Sequence, residues 1–502
     1  MQKIDFSQPV RQSPKGVIVI FGLKSVQFVR RFFVLFLALG VSIFRKNSFA
    51  NLSIAVIIGI LVLIVIGILV YSILRYLNFK FHVSQDDFHL SSGILNKDTI
   101  VVPKSKIQNV NIKQNFLQQL IDVVSINIET AGDDKSEITI NALDRGNATR
   151  LKEQLFVRRS LSEEADIDVS KIDKSEKKVF FKASIKRLLL EGISENHFKS
   201  FLIIVSFFVG IYYQAEEYFE SFGIEEQVEN NIQFAETVFI GSLFIALIAV
   251  LAFLIISILF SVIKMLIINF NLEVIEHHKN IEINKGLFNK MSLTLTPSRI
   301  QNIVVKTNRI KEWLGLYRLS VKQAMSNKKQ QKNFAIVALD GLQLDYLINK
   351  LLKIYSKPEN FLKPEGYFKY ILWLRLLLVF GLLNIPAYAV IGKGFWLINF
   401  LFLVFIAIYV YVRYRKSGYL ISDNFITITS GFIDTVTNIL EIHKIQSIEI
   451  SQTIFQKRRG ITSVIIATAS KSITIPYIKE IDAQAICNNL LYKVESSNRD
   501  WM

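Results

Sequence analysis

Three runs, 52–74, 237–263 and 394–412, contain no charged residue. Each is long enough to cross a bilayer as a helix, which takes roughly 20 apolar residues because lipid offers no water to satisfy backbone groups. A weaker apolar run precedes each one: 32–44 behind Arg30 and Arg31, 200–215 behind Lys199, and 376–392 behind Arg375. The pattern predicts three helical hairpins and therefore six spans. The shortest run, 32–44, is completed by residues 26–29, with the arginines snorkelling to the interface.

After each hairpin the pattern changes to alternation of apolar and polar positions, the period of half-buried strands. The same marks recur three times. A strand ends in glycine at Phe88-His89-Leu90-Ser91-Ser92-Gly93, Ile281-Glu282-Ile283-Asn284-Lys285-Gly286 and Ile426-Thr427-Ile428-Thr429-Ser430-Gly431. Next come Lys106-Ile107-Gln108-Asn109-Val110, Arg299-Ile300-Gln301-Asn302-Ile303 and Lys444-Ile445-Gln446-Ser447-Ile448, with the glutamine 15 residues after the glycine in every copy. Asp144, Asp340 and Asp482 then follow the glycine by 51, 54 and 51 residues, each ahead of an amphipathic run. An aspartate there reads as a helix N-cap, its carboxylate accepting a free backbone N–H. Each copy is predicted as short antiparallel strands closed by one helix.

The predicted organisation is an N-terminal segment and first hairpin over 1–77, a domain over 78–155, a linker and basic amphipathic helix over 156–196, a second hairpin over 197–268, a second domain over 269–352, a third hairpin over 353–413 and a third domain over 414–502. The amphipathic helix is expected over 177–190, in the membrane interface.

The charge of +17 bears on partner and orientation. Basic residues are dispersed among apolar runs, which points to an anionic lipid surface and away from nucleic acid. The segment 214–236 holds seven glutamates and no lysine or arginine, so it is expected outside, with the termini and all three domains cytoplasmic. Arg45 and Lys46 in the first external loop oppose that weakly. Cys487 is the single cysteine, which excludes an internal disulfide framework. The polar first residues, with Arg11 and Lys15, do not read as a cleavable signal peptide.

A third shared mark is Trp313-Leu314-Gly315-Leu316 and Arg458-Arg459-Gly460-Ile461, with Leu120-Ile121-Asp122-Val123 in the first copy. Together, strand-Gly, Ile-Gln, the third mark and a closing helix, directly after a membrane hairpin, resemble the bacterial pleckstrin-homology (PH) domain of the YdbT/YdbS-like membrane proteins. The first copy departs by lacking the third glycine. The resemblance implies a partly open barrel of about seven strands with a capping helix in each copy. The expected fold class is thus an integral membrane protein, α plus β, with six transmembrane helices and three PH-like domains.

Candidate chemistry is sparse. Phosphoinositide-binding PH domains gather cations at their first turn, since several phosphates need several charges. The corresponding turns here, Ser84-Gln85-Asp86-Asp87, Glu276-His277-His278-Lys279 and Ser422-Asp423-Asn424, are acidic or mixed. His277 and His278 are neighbours that face opposite sides of a strand, a poor metal pair. Gly93, Gly286, Gly431, Gln108, Gln301, Gln446, Asp144, Asp340 and Asp482 are read as structural equivalents, although the glutamines also suit a ligand-contacting set. Contacts to anionic lipid are expected from Lys177, Lys178, Lys182, Lys186 and Arg187, and from Lys457, Arg458 and Arg459, unless the latter turn is simply solvated. No nucleotide-binding loop, nucleophile elbow or zinc motif occurs, so no enzyme, cofactor or metal is expected. Asn384, Pro386 and Asn399 are the polar or kinking features inside the later helices.

The expected function is a membrane-anchored scaffold or interaction protein, set in envelope maintenance or stress response, in a bacterial plasma membrane. Its partners would be anionic lipids without headgroup specificity, an unidentified protein, or further copies of itself. The alternative is a transporter or lipid-handling protein built on the six helices.

Overall fold

The computed structural model describes residues 4–33, 54–130, 137–156, 178–198, 200–208, 210, 243–277, 280–323, 334–353, 355–357, 360–391 and 395–497. By contacts the chain divides into Met1–Phe180 with Val274–Thr294, and Phe181–Glu273 with Leu295–Met502.

In the first unit, β1 (Val10–Arg11) leads into a helix, Gly16–Arg31, and a second helix, Ile54–Asn78, returns to the strands. β2 (Lys80–Val83), β3 (Asp87–Ser92) and β4 (Asp98–Pro103) form a meander, giving a four-stranded sheet in the order β1-β2-β3-β4. β5 (Ile107–Gln114), β6 (Val124–Thr130) and β7 (Glu137–Leu143) form a second meander, and the helix Arg145–Phe156 closes the domain. One core joins the two halves: Phe81, Phe88 and Leu90 meet Val110, Ile126, Ile128 and Ile140, with Leu151 of the helix packed in. Alternation with period two places those side chains on one face, and their burial supplies the main stabilisation at roughly 25 cal/mol per Å² of apolar surface.

The second copy repeats this order with β8 (Lys178–Lys182), a helix Ile185–Ile193, a long helix Leu243–Asn269, then β9 (Glu273–Glu276), β10 (Ile281–Lys285), β11 (Lys290–Leu295), β12 (Ile300–Thr307), β13 (Tyr317–Gln323), β14 (Ala335–Leu339) and a closing helix Gly341–Leu352. The third has helices Tyr367–Ile391 and Phe395–Lys416, then β15 (Gly418–Ile421), β16 (Phe425–Gly431), β17 (Thr435–Glu441), β18 (Ser447–Ser451), β19 (Ile461–Ala467), β20 (Ser472–Lys479) and a closing helix Glu480–Glu495. A single bridge, Leu362 to Tyr419, stands where the earlier copies have their short leading strand.

The sheets do not respect the copies. Their orders are β7-β6-β5-β11-β10-β9-β8, β14-β13-β12-β17-β16-β15 and β18-β19-β20. Thus the first meander of each later copy continues the sheet begun by the second meander of the copy before it.

Among the described residues two helices are long and apolar enough to cross a membrane, Ile58–Asn78 and Val250–Asn269, with mean hydropathy 2.6 and 2.8. The third predicted hairpin forms two packed helices, with Phe380 stacked on Phe402 at 5.2 Å between ring centroids. The helix Tyr367–Ile391 runs unbroken through Pro386, and Asn384 Nδ2 donates to the Phe380 carbonyl at 2.9 Å. Residues 34–44 of the first predicted span, residues 209 and 211–215 of the run 200–215, the acidic segment 214–236 and the linker 160–174 lie outside the described residues.

The expected amphipathic helix over 177–190 is corrected: Lys178–Lys182 is a strand and only Ile185–Ile193 is helical. Val179-Phe180-Phe181 is a β-branched and aromatic run that suits a strand, and Ser184 starts the helix by accepting from the Arg187 backbone N–H at 3.3 Å.

Candidate functional site

Consecutive copies share a sheet at two joints. In the first, β5 lies antiparallel to β11, with Ile112 opposite Ser292 and Gln114 opposite Lys290. In the second, β12 lies antiparallel to β17, with Ile303 opposite Ile439 and Thr307 opposite Thr435. Counted from the repeat glycines, position 19 meets position 6 in the first joint and 17 meets 8 in the second. The two registers are therefore the same. A slip of one residue would turn the core face outward, so the burial pattern enforces this register.

Side chains lock both joints. At the first, Gln119 Nε2 donates to the carbonyls of Leu287 (3.0 Å) and Phe288 (2.9 Å), and the Phe116 ring meets Phe288 edge-on at 6.0 Å. At the second, Asn308 Nδ2 donates to Asp434 Oδ1 at 3.2 Å and Lys306 Nζ pairs with Asp434 Oδ2 at 2.9 Å. Beneath it, Asn302 Nδ2 donates to Asn438 Oδ1 at 3.3 Å, and Lys444 Nζ donates to the carbonyls of Ser298 (3.1 Å) and Ile300 (2.5 Å). In the first joint the short helix after the upstream strand seats on the turn that follows the downstream repeat glycine, and in the second the N-cap of that helix, Asn308, bonds to the same turn.

A cavity of about 440 Å³ opens over the second joint, lined on the sheet side by Val305, Thr437 and Ile439. Tyr355 borders it, its ring edge-on to Phe425 at 5.4 Å and its hydroxyl 3.5 Å from Thr427 Oγ1. Burial pushes the Tyr355 phenol up, so the hydroxyl stays protonated there. The cavity's walls combine apolar side chains and hydroxyls with the charged groups of Glu312, Asp345 and Lys357.

A buried ionic cluster underlies the second copy. Lys311 Nζ lies 2.6 Å from Glu191 Oε1 and 3.0 Å from Glu195 Oε1, and Arg318 Nη2 is 2.7 Å from Glu195. The side chains of Lys311 and Glu191 are almost wholly buried. Burial pushes the Glu195 carboxyl up, but Arg318, Lys311 and Lys306 outweigh it and bring it down to about 2. Asn308 Nδ2 also donates to the Ser194 carbonyl at 2.8 Å, tying the start of the second hairpin to its domain.

The sequence-predicted residues fall as follows. Gly93 and Gly286 directly follow the second strand of a meander and Gly431 ends it, at φ +123°, +110° and +143°, and an added Cβ would lie 1.8–2.0 Å from the carbonyl oxygen three residues on. Gln108 and Gln301 sit where the register shifts against the neighbouring strand, a β-bulge, between Ile107 and Asn109 and between Ile300 and Asn302. Gln446 precedes β18, and its backbone N–H bonds to the Ala467 carbonyl at 2.8 Å. Asp340 caps its helix by accepting from the Gln343 N–H at 2.8 Å, and Asp144 directly precedes the helix Arg145–Phe156. Asp482 is not a cap. β20 runs straight into the helix at Glu480, so Asp482 lies in the first turn, where its charge complements the helix dipole.

Of the expected lipid-contacting cations, Lys182 pairs with Glu273 at 2.6 Å, and Arg187 meets Asp340 (3.4 Å), Gln343 (3.2 Å) and the Ala338 carbonyl (3.5 Å). Arg459 stacks over Tyr367 with its guanidinium 4.4 Å from the ring centre. Lys178, Lys186, Lys457 and Arg458 are exposed, and Lys177 is outside the described residues. His277 pairs with Glu282 at 3.3 Å, and His278 is likewise outside.

Sequence reasoning missed the joints and the cluster. A signal for the second existed: Asn115 and Thr453 each open a short helix whose third residue, Gln118 or Gln456, closes a capping box. The second copy has Lys311 at that position, and it turns instead to Glu191.

Comparison with known proteins agrees with this repeat. The bacterial PH domain family matches residues 25–159, 230–352 and 376–494. The chain is similar to the UPF0699 transmembrane protein YdbT of Bacillus subtilis (strain 168), at 23% identity over 503 residues, covering 96% of this chain and 97% of the other. No solved structure matches. With three matches that together span well over half its length, each containing a strand-built domain with a closing helix, the chain belongs to the bacterial PH domain family.

Proposed function

We propose that the chain is a membrane-anchored scaffold, held by six helices in a bacterial plasma membrane, that presents its PH-like domains on the cytoplasmic side as a joined array without enzymatic activity. The observation that carries this reading is the repeated joint. Successive domains of one family are linked by strand pairing in one register and locked by side chains, and the strand edges left over suit strand-addition partners. The hydroxyl-lined cavity on the second joint adds a concave place to seat a side chain.

Lipid plays a supporting part here. The helix Ile185–Ile193 exposes Ile185, Leu189 and Ile193, four residues apart on one face, beside exposed Lys186, while Leu188 and Gly192 are buried. Such a face suits the interface of an anionic membrane, without preference for one headgroup.

Amine-reactive crosslinking in native membranes, followed by identification of attached peptides, tests the scaffold. The expected result is a reproducible set of protein crosslinks to residues of the strand-built domains. Recovery of intrachain links alone, under conditions where lysines flanking the joints are linked efficiently, overturns it.

A further inference from the structure

The joints leave two strands over. β4 is the first copy's equivalent of β11 and β17, and β18 is the third copy's equivalent of β5 and β12. Among the described residues β4 pairs only with β3, and β18 only with β19. The first copy therefore shows the receiving strand and the third copy the donating strand of a joint made twice already. Identical positions differ in burial accordingly. Ile100 and Val101 are 41% and 49% exposed, whereas their equivalents in the joints are 1% (Leu293) and 2% (Ile439). β4 is uncharged between Asp98 at its start and Pro103 at its end, whereas β18 is short and carries one charge, Glu449, at its centre.

We infer that β18 of one chain pairs antiparallel with β4 of a second copy of this chain, in the register of the two internal joints. The internal register places Ile448 opposite the second copy's Val101, as Ile303 stands opposite Ile439. Likewise it places Ile450 opposite Thr99, as Ile112 stands opposite Ser292. Flanking elements extend the match. Phe116 meets Phe288 at the first joint, and the same positions at the free ends are Ile454 and Leu95, both highly exposed. A contact of this kind is heterologous, using different surfaces on the two partners, so copies add head to tail and propagate until a ring closes. The inference rests on the scaffold reading and supplies its partner: another copy.

Disulfide trapping in the full-length chain in native membranes, with Cys487→Ser as background, provides the test. The intrachain pair Ile112→Cys with Ser292→Cys, opposite one another in the first joint, reports that the protein is folded and that this register oxidises. Thr99→Cys and Ile450→Cys chains, co-expressed, are expected to yield a disulfide-linked dimer in about tenfold excess over either variant alone or over the out-of-register mixture Val101→Cys with Ile450→Cys. A single chain carrying both Thr99→Cys and Ile450→Cys should give a ladder of multimers. The absence of a mixture-specific dimer while the internal pair oxidises overturns the inference, as does equal yield out of register. An intrachain link as the sole product of the doubly substituted chain also overturns it, because the ends then meet within one molecule. If these fail while native crosslinking still recovers another protein, the scaffold stands and its partner is not a second copy.

Discussion

The glycines at 93, 286 and 431 show how a residue type is imposed by backbone geometry. Each occupies positive φ with a carbonyl oxygen where a Cβ would sit, so neither rotation nor repacking accommodates a side chain. Gly431→Ala is expected to cost at least about 2 kcal/mol, visible as a lowered unfolding midpoint. The third repeat mark is more tolerant. Gly315 and Gly460 adopt φ +65° and +62°, Asp122 adopts +52°, and there is open space around the two glycines. The first copy keeps the left-handed turn without glycine because aspartate visits that region at modest cost. Asp122→Gly should therefore leave stability unchanged or raise it by up to about 1 kcal/mol, in contrast to the loss at Gly431.

Lys311 belongs to the same scale. Replacing it with methionine leaves the buried Glu191 carboxylate with Arg318 Nε at 3.6 Å as its remaining cation, and removal of one partner from a buried pair costs up to about 3–5 kcal/mol. The pH response follows from Glu195. Its carboxyl is held at about 2 in the folded chain against an ordinary 4.5, so its contribution is complete above about pH 4.5 and is lost as pH falls towards 2. Unfolding followed between pH 5 and 2 should show that loss, and Lys311→Met should begin losing structure at higher pH. This cluster was hidden in the sequence. Lys311 and Glu191 are 120 residues apart, and the only local trace is a lysine where the other copies have a capping glutamine.

At the scale of elements, the segment before the second hairpin is a strand and a short helix where its residue pattern predicts a single basic helix. Both versions carry the same cations, but a strand commits Lys182 to Glu273, and the docked helix commits Arg187 to Asp340. Among the described residues of this segment, what faces outward is Lys178 and Val179 on the strand and one helix face, Ile185, Leu189 and Ile193 with Lys186. Leu189→Trp in the full chain, reconstituted in anionic nanodiscs, should show blue-shifted emission quenched by shallow lipid-borne quenchers. Emission insensitive to those quenchers rejects an interfacial helix. The strand pattern was legible because period-two alternation and the recurrent glycine report local geometry. The bulges at Gln108 and Gln301 were not, since a bulge is a relation to the neighbouring strand.

For the whole molecule, orientation is the property still carried by charge alone. The acid-only loop 214–236 predicts that Ser221→Cys, in the Cys487→Ser background, reacts with an impermeant thiol reagent in intact cells, whereas Ser91→Cys and Ser430→Cys do not. The reverse pattern inverts the topology.

The sequence by itself determined the threefold repeat, the apolar runs, the strand periodicity and the turns that demand glycine, all of which depend on residues close together in the chain. Tertiary structure decided which strand lies beside which. β5, β12 and β18 carry similar patterns, yet two are paired across copies and one ends a sheet. The physical reason is that a strand edge presents the same row of backbone N–H and C=O groups whatever its side chains, so its partner is set by which complementary edge the fold brings within reach.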